Sequence, residues 1–452
     1  MNNQIDRRNF ISSSAAAGAG FMIANKALAQ AEGKKDINIA LIGAGVQGQV
    51  LMNAILKLGK NSGVKFRAVC DIWEKGNLRR VSRILTAYKR YGHKGTAYVD
   101  YQEMLEKETD LDAVLIATPD FWHARHTIAC FEKGLHVYCE KEMSNSLEDA
   151  KNMVLAGRKA GKLLQIGHQR RSNPRYIYCN DKIINEANLL NRITNISGQW
   201  HRSRAACVDL GWPKGSDIPE ETLKKYGFDN MPQFRNWRWY KGKGGGPIVD
   251  LGSHQIDVYS WFLGNALPSS VMASGGVDYW KDHEWYDNAI AIFEFPTKKG
   301  LVRASYETLT TNSSNGYYEL FMGDEGTLLI SESAGRGEIY RESWVEESKW
   351  DPAVQKGLVT LEKASIKAET KAGDDEVDVR ESATPALYRM PIEMKDPYHQ
   401  PHLVNFFESI RGNQKLNCPG EIGYETAVMV LKVNEAIAAG RKIELKPEDF
   451  KV

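Results

Sequence analysis

Cysteine is scarce in this chain. Six thiols are spread over 452 residues (Cys70, Cys130, Cys139, Cys179, Cys207 and Cys418), and no two form a C-x-x-C pair. A zinc site of that kind is therefore not expected, and the thiols read as buried core residues rather than a disulfide framework. Surplus charge is absent as well. The 59 Lys and Arg nearly balance the 57 Asp and Glu, leaving a net +2. Such a balance gives no electrostatic footprint for nucleic acid or for an anionic membrane. Beyond residue 30 there is no apolar run long enough to cross a bilayer, no internal repeat and no low-complexity linker.

What is present is the balance of a globular protein, 42% hydrophobic and 26% charged, with a length that suits two or three domains. Eleven Trp and nineteen Tyr are plentiful. Aromatics are core residues first, but sugar-binding clefts also use them. The first thirty residues differ from the rest. Arg7 and Arg8 precede a weakly apolar stretch of small residues that ends in Ala27-Leu28-Ala29, an A-x-A cleavage pattern. Residues 1–31 are expected to be a signal peptide of the twin-arginine type, which exports folded proteins, and the mature protein to be periplasmic. The plainer alternative is a basic N-terminal tail.

Residues 36–48 read DINIALIGAGVQG. A short β-branched run leads into Gly43-Ala44-Gly45-Val46-Gln47-Gly48, and a helical pattern follows. In such a G-x-G-x-x-G loop Gly43 permits the tight turn, Gly45 lets a pyrophosphate approach the backbone, and Gly48 lets the helix pack on the strand. The helix N-terminus, at Val46 and Gln47, faces the phosphates. A second strand ends at Asp71, placed to accept from the adenosine ribose hydroxyls and to repel a 2′-phosphate. NAD is therefore expected ahead of NADP.

Strand and helix then alternate through residues 112–166, which predicts a parallel sheet covered on both faces. Ligands in such sheets lie beyond the carboxyl ends of the strands. Thr118, Pro119, Asp120, Trp122 and His123 follow one such end, Glu140 and Lys141 the next, and His168 and Gln169 a third. Glu140 is expected to help shape the cofactor pocket. Four later segments (RITNISGQWHR, NAIAIFEF, GLVRASYET and YYELFMGDEGTLLIS) alternate apolar and polar residues, as strands of a half-buried antiparallel sheet do. Residues 333–390 read as a charged, irregular excursion from that sheet. The expected class is α/β, with a dinucleotide-binding Rossmann domain over 36–165. A C-terminal α/β domain with a large, mostly antiparallel open sheet follows over 166–452.

Five segments, in this order, carry a resemblance: GAGVQG (43–48), ATPDFWHA (117–124), CEKEMS (139–144), GGGPIVDLGSHQID (244–257) and GDEGTLLI (323–330). The chain resembles the Gfo/Idh/MocA oxidoreductases. The resemblance implies NAD-dependent hydride transfer at a secondary hydroxyl of a sugar or glycoside, the C3 hydroxyl of a glucoside being one case. It also implies a dimer or tetramer formed through the open face of the C-terminal sheet. A lysine and an Asp/His pair serve the family's chemistry. Carried over, His254 is the base, Lys141 the polariser or relay, and Asp250 a hydrogen-bond partner of the substrate. The family usually has E-K-P where this chain has Glu140-Lys141-Glu142, so Glu142 stands in place of a proline. Glu142 either adds negative charge beside Lys141 or points to solvent.

Alcohol oxidation explains why those residue types are wanted. A base with a pKa near the working pH must take the hydroxyl proton, and a nearby donor or cation must stabilise the developing alkoxide. Asp250 and His254 are four apart and share a helix face; Asp257, three further on, is placed to orient the His254 ring. Arg170, Arg171, Trp237 and Tyr240, with Arg238 and Trp239 between the last two, are candidate substrate contacts, and core packing is the alternative for the aromatics. His399 and His402 read as a helix start rather than a metal site, and no metal is expected. Free NAD is scarce outside the cytoplasm, so an exported enzyme is expected to hold it tightly and reoxidise it in place. Two other functions stay open. One is a glycosidase that oxidises C3 transiently to allow elimination; the other is a non-catalytic NAD- or sugar-binding protein.

Overall fold

Short apolar, partly β-branched runs such as INIALI and AVLI are satisfied in the middle of a sheet, and here they are its central strands. A computed structural model describes residues 36–333, 335–362, 383–393 and 396–452. In it β1 (Ile37–Ile42), β2 (Val64–Cys70), β3 (Thr96–Tyr98), β4 (Ala113–Ile116), β5 (His136–Cys139) and β6 (Leu164–Ile166) form a parallel sheet ordered β3-β2-β1-β4-β5-β6. That is the doubly wound dinucleotide-binding order, with the strand order reversing between β1 and β4. Helix α1 (Val46–Leu58) starts at once after the glycine loop. A Cβ on Gly48 would stand 1.9 Å from the Gly43 carbonyl oxygen, so only glycine lets the helix sit this close to the turn. Two further helices flank the sheet: α2 (Asp120–Glu132) and α3 (Leu147–Ala160). The Ser146 hydroxyl caps the start of α3 by accepting from the Asp149 N–H, and left-handed Gly161 ends it.

The second half is organised on β7 (Ile193–His201), β8 (Ser270–Gly276), β9 (Asn288–Thr297), β10 (Gly300–Leu309), β11 (Tyr317–Gly323), β12 (Gly326–Ile330) and β13 (Gly337–Arg341). The short strands β14 (Thr360–Leu361), β15 (Ala386–Arg389) and β16 (Ile443–Glu444) complete a ten-stranded sheet ordered β14-β15-β13-β12-β11-β7-β10-β9-β8-β16. Only β7 and β10 run parallel; every other pairing is antiparallel. The expectation of an irregular excursion over 333–390 is corrected by β13, β14 and β15, which are ladder strands. Within that stretch 334 and 363–382 lie outside the described residues, as does the expected signal peptide at 1–31.

Helix α4 (Gly246–Phe262) covers the inner face of this sheet. Gly198 on β7 leaves room for the Tyr259 ring of α4, whose hydroxyl donates to the Ser305 carbonyl at 3.0 Å. The outer face keeps Met272, Ile290, Ile292 and Leu301 exposed. Helix α5 (Gln400–Ile410) returns to the first sheet, where Leu403, Phe406 and Phe407 join the core beside β1 and β2. Helix α6 (Gly420–Ala439) packs on α4 and β8. Between β7 and α4 an arm, residues 202–245, crosses to the carboxyl edge of the first sheet. Its Ile218, Leu223, Tyr226, Phe228, Met231 and Trp237 close a small core with Trp73 and Trp122 of the first half. Each such burial contributes roughly 1.5–3 kcal/mol, which holds the arm down. Among the described residues no helix is long and apolar enough to cross a membrane.

Candidate active site

Two adjoining clefts lie between the first sheet, the arm and α4. The first is floored by the glycine loop. Gly43 takes a left-handed φ of 94°, and a Cβ there would stand 2.5 Å from the Ala117 oxygen. On Gly45 the nearest atom to an added Cβ is 3.9 Å away, so the loop keeps open space above its backbone. Val46, at the helix start, is 79% exposed. An apolar tip, an open glycine and unpaired helix N–H groups are what a dinucleotide pyrophosphate covers. Asp71 lines the cleft, and its carboxylate accepts from the N–H groups of Ala44 and Trp73, each at 2.7 Å. Burial pushes that carboxyl up, and the hydrogen bonds oppose the rise. Thr118, Pro119, Trp122, Gln47, Glu140 and Lys141 complete the wall. The residues present therefore fit NAD.

His123 does not line that cleft. It is buried with its two ring nitrogens 2.8 Å from the Thr118 and Glu142 carbonyl oxygens, and burial lowers it to about 4. The neutral ring donates to one of the two and ties together the turns that follow β4 and β5. Asp120, at the start of α2, does line the cleft; burial raises its carboxyl to about 7.

Lys141, Glu140, Gln47, Arg235 and Arg238 line both clefts. Lys141 is 12% exposed. Its Nζ donates to the Asp250 backbone oxygen and lies 3.1 Å from Asp250 Oδ1. The other Asp250 oxygen meets Arg238 Nε at 3.2 Å. Burial would raise the Asp250 carboxyl, but Lys141, Arg238 and Arg202 outweigh it and hold the group well below the usual carboxylate range. His254, one helical turn along α4, faces the same cleft. It is buried, its Nδ1 has no partner, and burial with Lys141 nearby keeps the ring neutral. The structure thus brings Lys141, Asp250 and His254 together around one space.

Other candidates fall elsewhere. Asp257 does not orient His254. It is buried against Arg171, whose Nε lies 2.8 and 3.0 Å from its two oxygens, and it accepts from the Thr426 hydroxyl. Arg170 is equally committed, to Glu319 and Glu332. Neither arginine reaches either cleft, because a buried charge without a partner costs several kcal/mol and each has found carboxylates inside the fold. Gln169 lines the second cleft and not the first; Trp237 lines the first and not the second; Tyr240 lines neither. Glu142 neither points to solvent nor adds a charge at neutral pH. It is fully buried, Oε1 accepts from the Met143 N–H, Oε2 has no partner, and burial raises it to about 8. The Lys141–Glu142 peptide bond is cis.

The second cleft also contains residues that sequence reasoning missed. Tyr317 on β11 is in register with Trp200 on β7, and their rings stack at 4.5 Å and 18°. Arg202 and Tyr398 join them. His399 lines this cleft too, with Nε2 2.9 Å from Gln47 Nε2, whereas His402 is buried against Ser172 and the Ile166 carbonyl. The pairing of β7 with β11 was the available signal: facing strands place aromatic pairs side by side. No group of metal ligands occurs among the described residues.

Two family models match the chain: the NAD-binding Rossmann fold of the GFO/IDH/MocA oxidoreductases over residues 37–168, and the GFO/IDH/MocA C-terminal domain over 224–329. D-glucoside 3-dehydrogenase of Escherichia coli (strain K12) is 27% identical over 238 residues, covering 52% of this chain and 57% of that protein. A glycosyl hydrolase family 109 protein of Shewanella baltica (strain OS185) is 25% identical over 391 residues, 77% of this chain and 80% of that one. The chain spans about half the length of several curated relatives that it matches. Levoglucosan dehydrogenase in complex with NADH shares the fold, with a TM-score of 0.65 at 16% identity over 91% of this chain and all of that one.

Proposed function

This chain belongs to the Gfo/Idh/MocA family of NAD-binding oxidoreductases, and we propose that it oxidises a secondary hydroxyl of a sugar or glycoside, with a tightly held NAD as hydride acceptor. A C3 hydroxyl is one candidate target, by analogy with the D-glucoside 3-dehydrogenase relative. One observation carries the reading: Lys141 lies on the wall common to both clefts, with Asp250 and His254 beside it. A hydroxyl placed there meets the neutral His254 imidazole, the proposed proton acceptor, which burial and Lys141 weaken as a base, and a lysine Nζ that can stabilise the alkoxide. Asp250, ionised and shared between Lys141 and Arg238, aims the lysine. The stacked Trp200–Tyr317 pair offers a flat apolar wall for a pyranose ring. Asp71 takes the ribose hydroxyls and disfavours a 2′-phosphate.

The protein is further proposed to be periplasmic, exported by its twin-arginine-like leader with the nucleotide already bound. The exposed apolar residues of the outer sheet face support a homo-oligomer through that face. The test is a sugar panel monitored by the absorbance of enzyme-bound nicotinamide. Reduction by one class of glycoside is expected, and no spectral change with any sugar would sink the reading. The glycosidase alternative, to which the family 109 relative lends only weak support, is separated by products from an aryl glycoside: a released phenol rather than a keto-glycoside.

A further inference from the structure

Four cations line the second cleft: Lys141, Arg202, Arg235 and Arg238. Three of them also line the nucleotide cleft. Lys141 and Arg238 are held by Asp250. Arg235 lies over the Trp73 ring at 4.7 Å and donates to the Gly211 carbonyl at 3.1 Å. Arg202 is different. It lines the second cleft alone, and among the described residues no carboxylate or carbonyl accepts from its guanidinium. It is also well placed. Its backbone N–H donates to the Leu309 carbonyl at 2.8 Å, which fixes the chain just beyond β7, and its guanidinium carbon stands 5.5 Å from the Trp200 ring centre. Its charge reaches the Asp250 carboxylate through space, but no carboxylate of this cleft accepts a hydrogen bond from it. Asp250 is already shared by two cations, Glu332 is paired with buried Arg170, and Glu140 accepts from Gln47.

An arginine fork with all its donors free, anchored on the aromatic wall where a sugar ring would stack, matches a planar anion in two parallel hydrogen bonds. We propose that the substrate is an acidic sugar, a glycoside bearing a carboxylate such as a uronoside, and that Arg202 determines this specificity by binding the carboxylate. The proposal rests on the reading that the second cleft takes a sugar. It names the substrate class of that site.

The test compares a glucoside with the glucuronide of the same aglycone. It uses the purified protein with its bound nucleotide and follows nicotinamide absorbance in wild type, Arg202→Gln and Arg202→Lys. The expected kcat/KM for the glucuronide is about tenfold or more above that for the glucoside, and KM for the glucuronide alone rises with salt. Arg202→Gln should lower the glucuronide-to-glucoside ratio about tenfold, mainly through KM, and Arg202→Lys should fall between. Equal or better use of the glucoside by wild type overturns the proposal, as does a ratio unchanged in a folded Arg202→Gln. If that variant fails to fold, the wild-type ratio and its salt dependence decide alone. If neither sugar reduces the bound nucleotide, the dehydrogenase reading itself fails, an outcome distinct from a preference for the neutral sugar.

Discussion

Lys141 Nζ lies 3.1 Å from Asp250 Oδ1, and the second oxygen of that carboxylate is taken by Arg238 at 3.2 Å. The Asp250 carboxylate thereby joins a residue of the first sheet to the arm and to α4. Replacing Asp250 by Asn should lower kcat by about 10²–10³-fold, because Lys141 loses the carboxylate charge that aims it and keeps only the backbone oxygen of residue 250. Lys141→Ala should do at least as much. Both variants should keep bound nucleotide, measured by acid extraction. Near-normal turnover in either would return Lys141 to an ordinary charged residue.

Glu142 gives a stability prediction with a definite sign. Burial raises its carboxyl from 4.5 to about 8. Between those values the folded protein keeps a proton that the unfolded chain has released. The contribution of Glu142 to stability is therefore fullest below 4.5 and falls as pH rises through that window. Glu142→Gln has no proton to lose. Its melting temperature should exceed that of wild type at pH 8 by several degrees, with the gap closing towards pH 4.5. A gap independent of pH would refute the assignment.

Gly45 and Gly48 should separate two functions of one loop. A Cβ on Gly48 meets the Gly43 oxygen at 1.9 Å, whereas on Gly45 it meets nothing closer than 3.9 Å. Gly48→Ala should cost about 1–3 kcal/mol of folding stability. Gly45→Val should fold normally and lose its nucleotide. Thermal melts and nucleotide content, read together, check both.

The proposed preference for NAD through Asp71 can be tested directly. Asp71→Ser removes the negative charge while a short acceptor remains near the Ala44 N–H. The NADP content of purified protein should rise relative to NAD. An unchanged ratio would move the specificity elsewhere in the cleft.

Arg170 should matter for folding rather than for binding. Arg170→Met leaves Glu319 and Glu332 without their cation in a buried site. The expected loss is about 3–5 kcal/mol in denaturant unfolding. Stability within 1 kcal/mol of wild type would show that the pair is dispensable.

The features legible in the sequence were local ones. The strand–GAGVQG–helix unit spans about twenty residues and its glycines are dictated by backbone sterics. The alternating segments became β7, β9, β10, β11 and β12 because a period of two survives whatever the strands pair with. Asp250 and His254 share a face by helix geometry alone. What could not be read was the choice of distant partners. Arg171 and Asp257 are 86 residues apart, and Arg170 finds Glu319 across 149. Nothing nearby in the chain distinguishes those arginines from substrate ligands. Strand β8 carries two terminal glycines and β14 and β16 have two residues each, too little pattern to register. Arg202 had no motif at all, and only the register of β7 in the sheet gives it a place.

The small aromatic core beneath the arm has a kinetic consequence. Trp122 Nε1 donates to the Tyr226 carbonyl at 2.9 Å, and Lys225 pairs with Asp100, so the arm is pinned to both flanks of the nucleotide cleft. If the dinucleotide is held as tightly as proposed, its release would require that core to part, a local unfolding event rather than a simple dissociation. Turnover would then follow ping-pong kinetics: one sugar leaves oxidised before a second acceptor enters, and the nucleotide behaves as a prosthetic group.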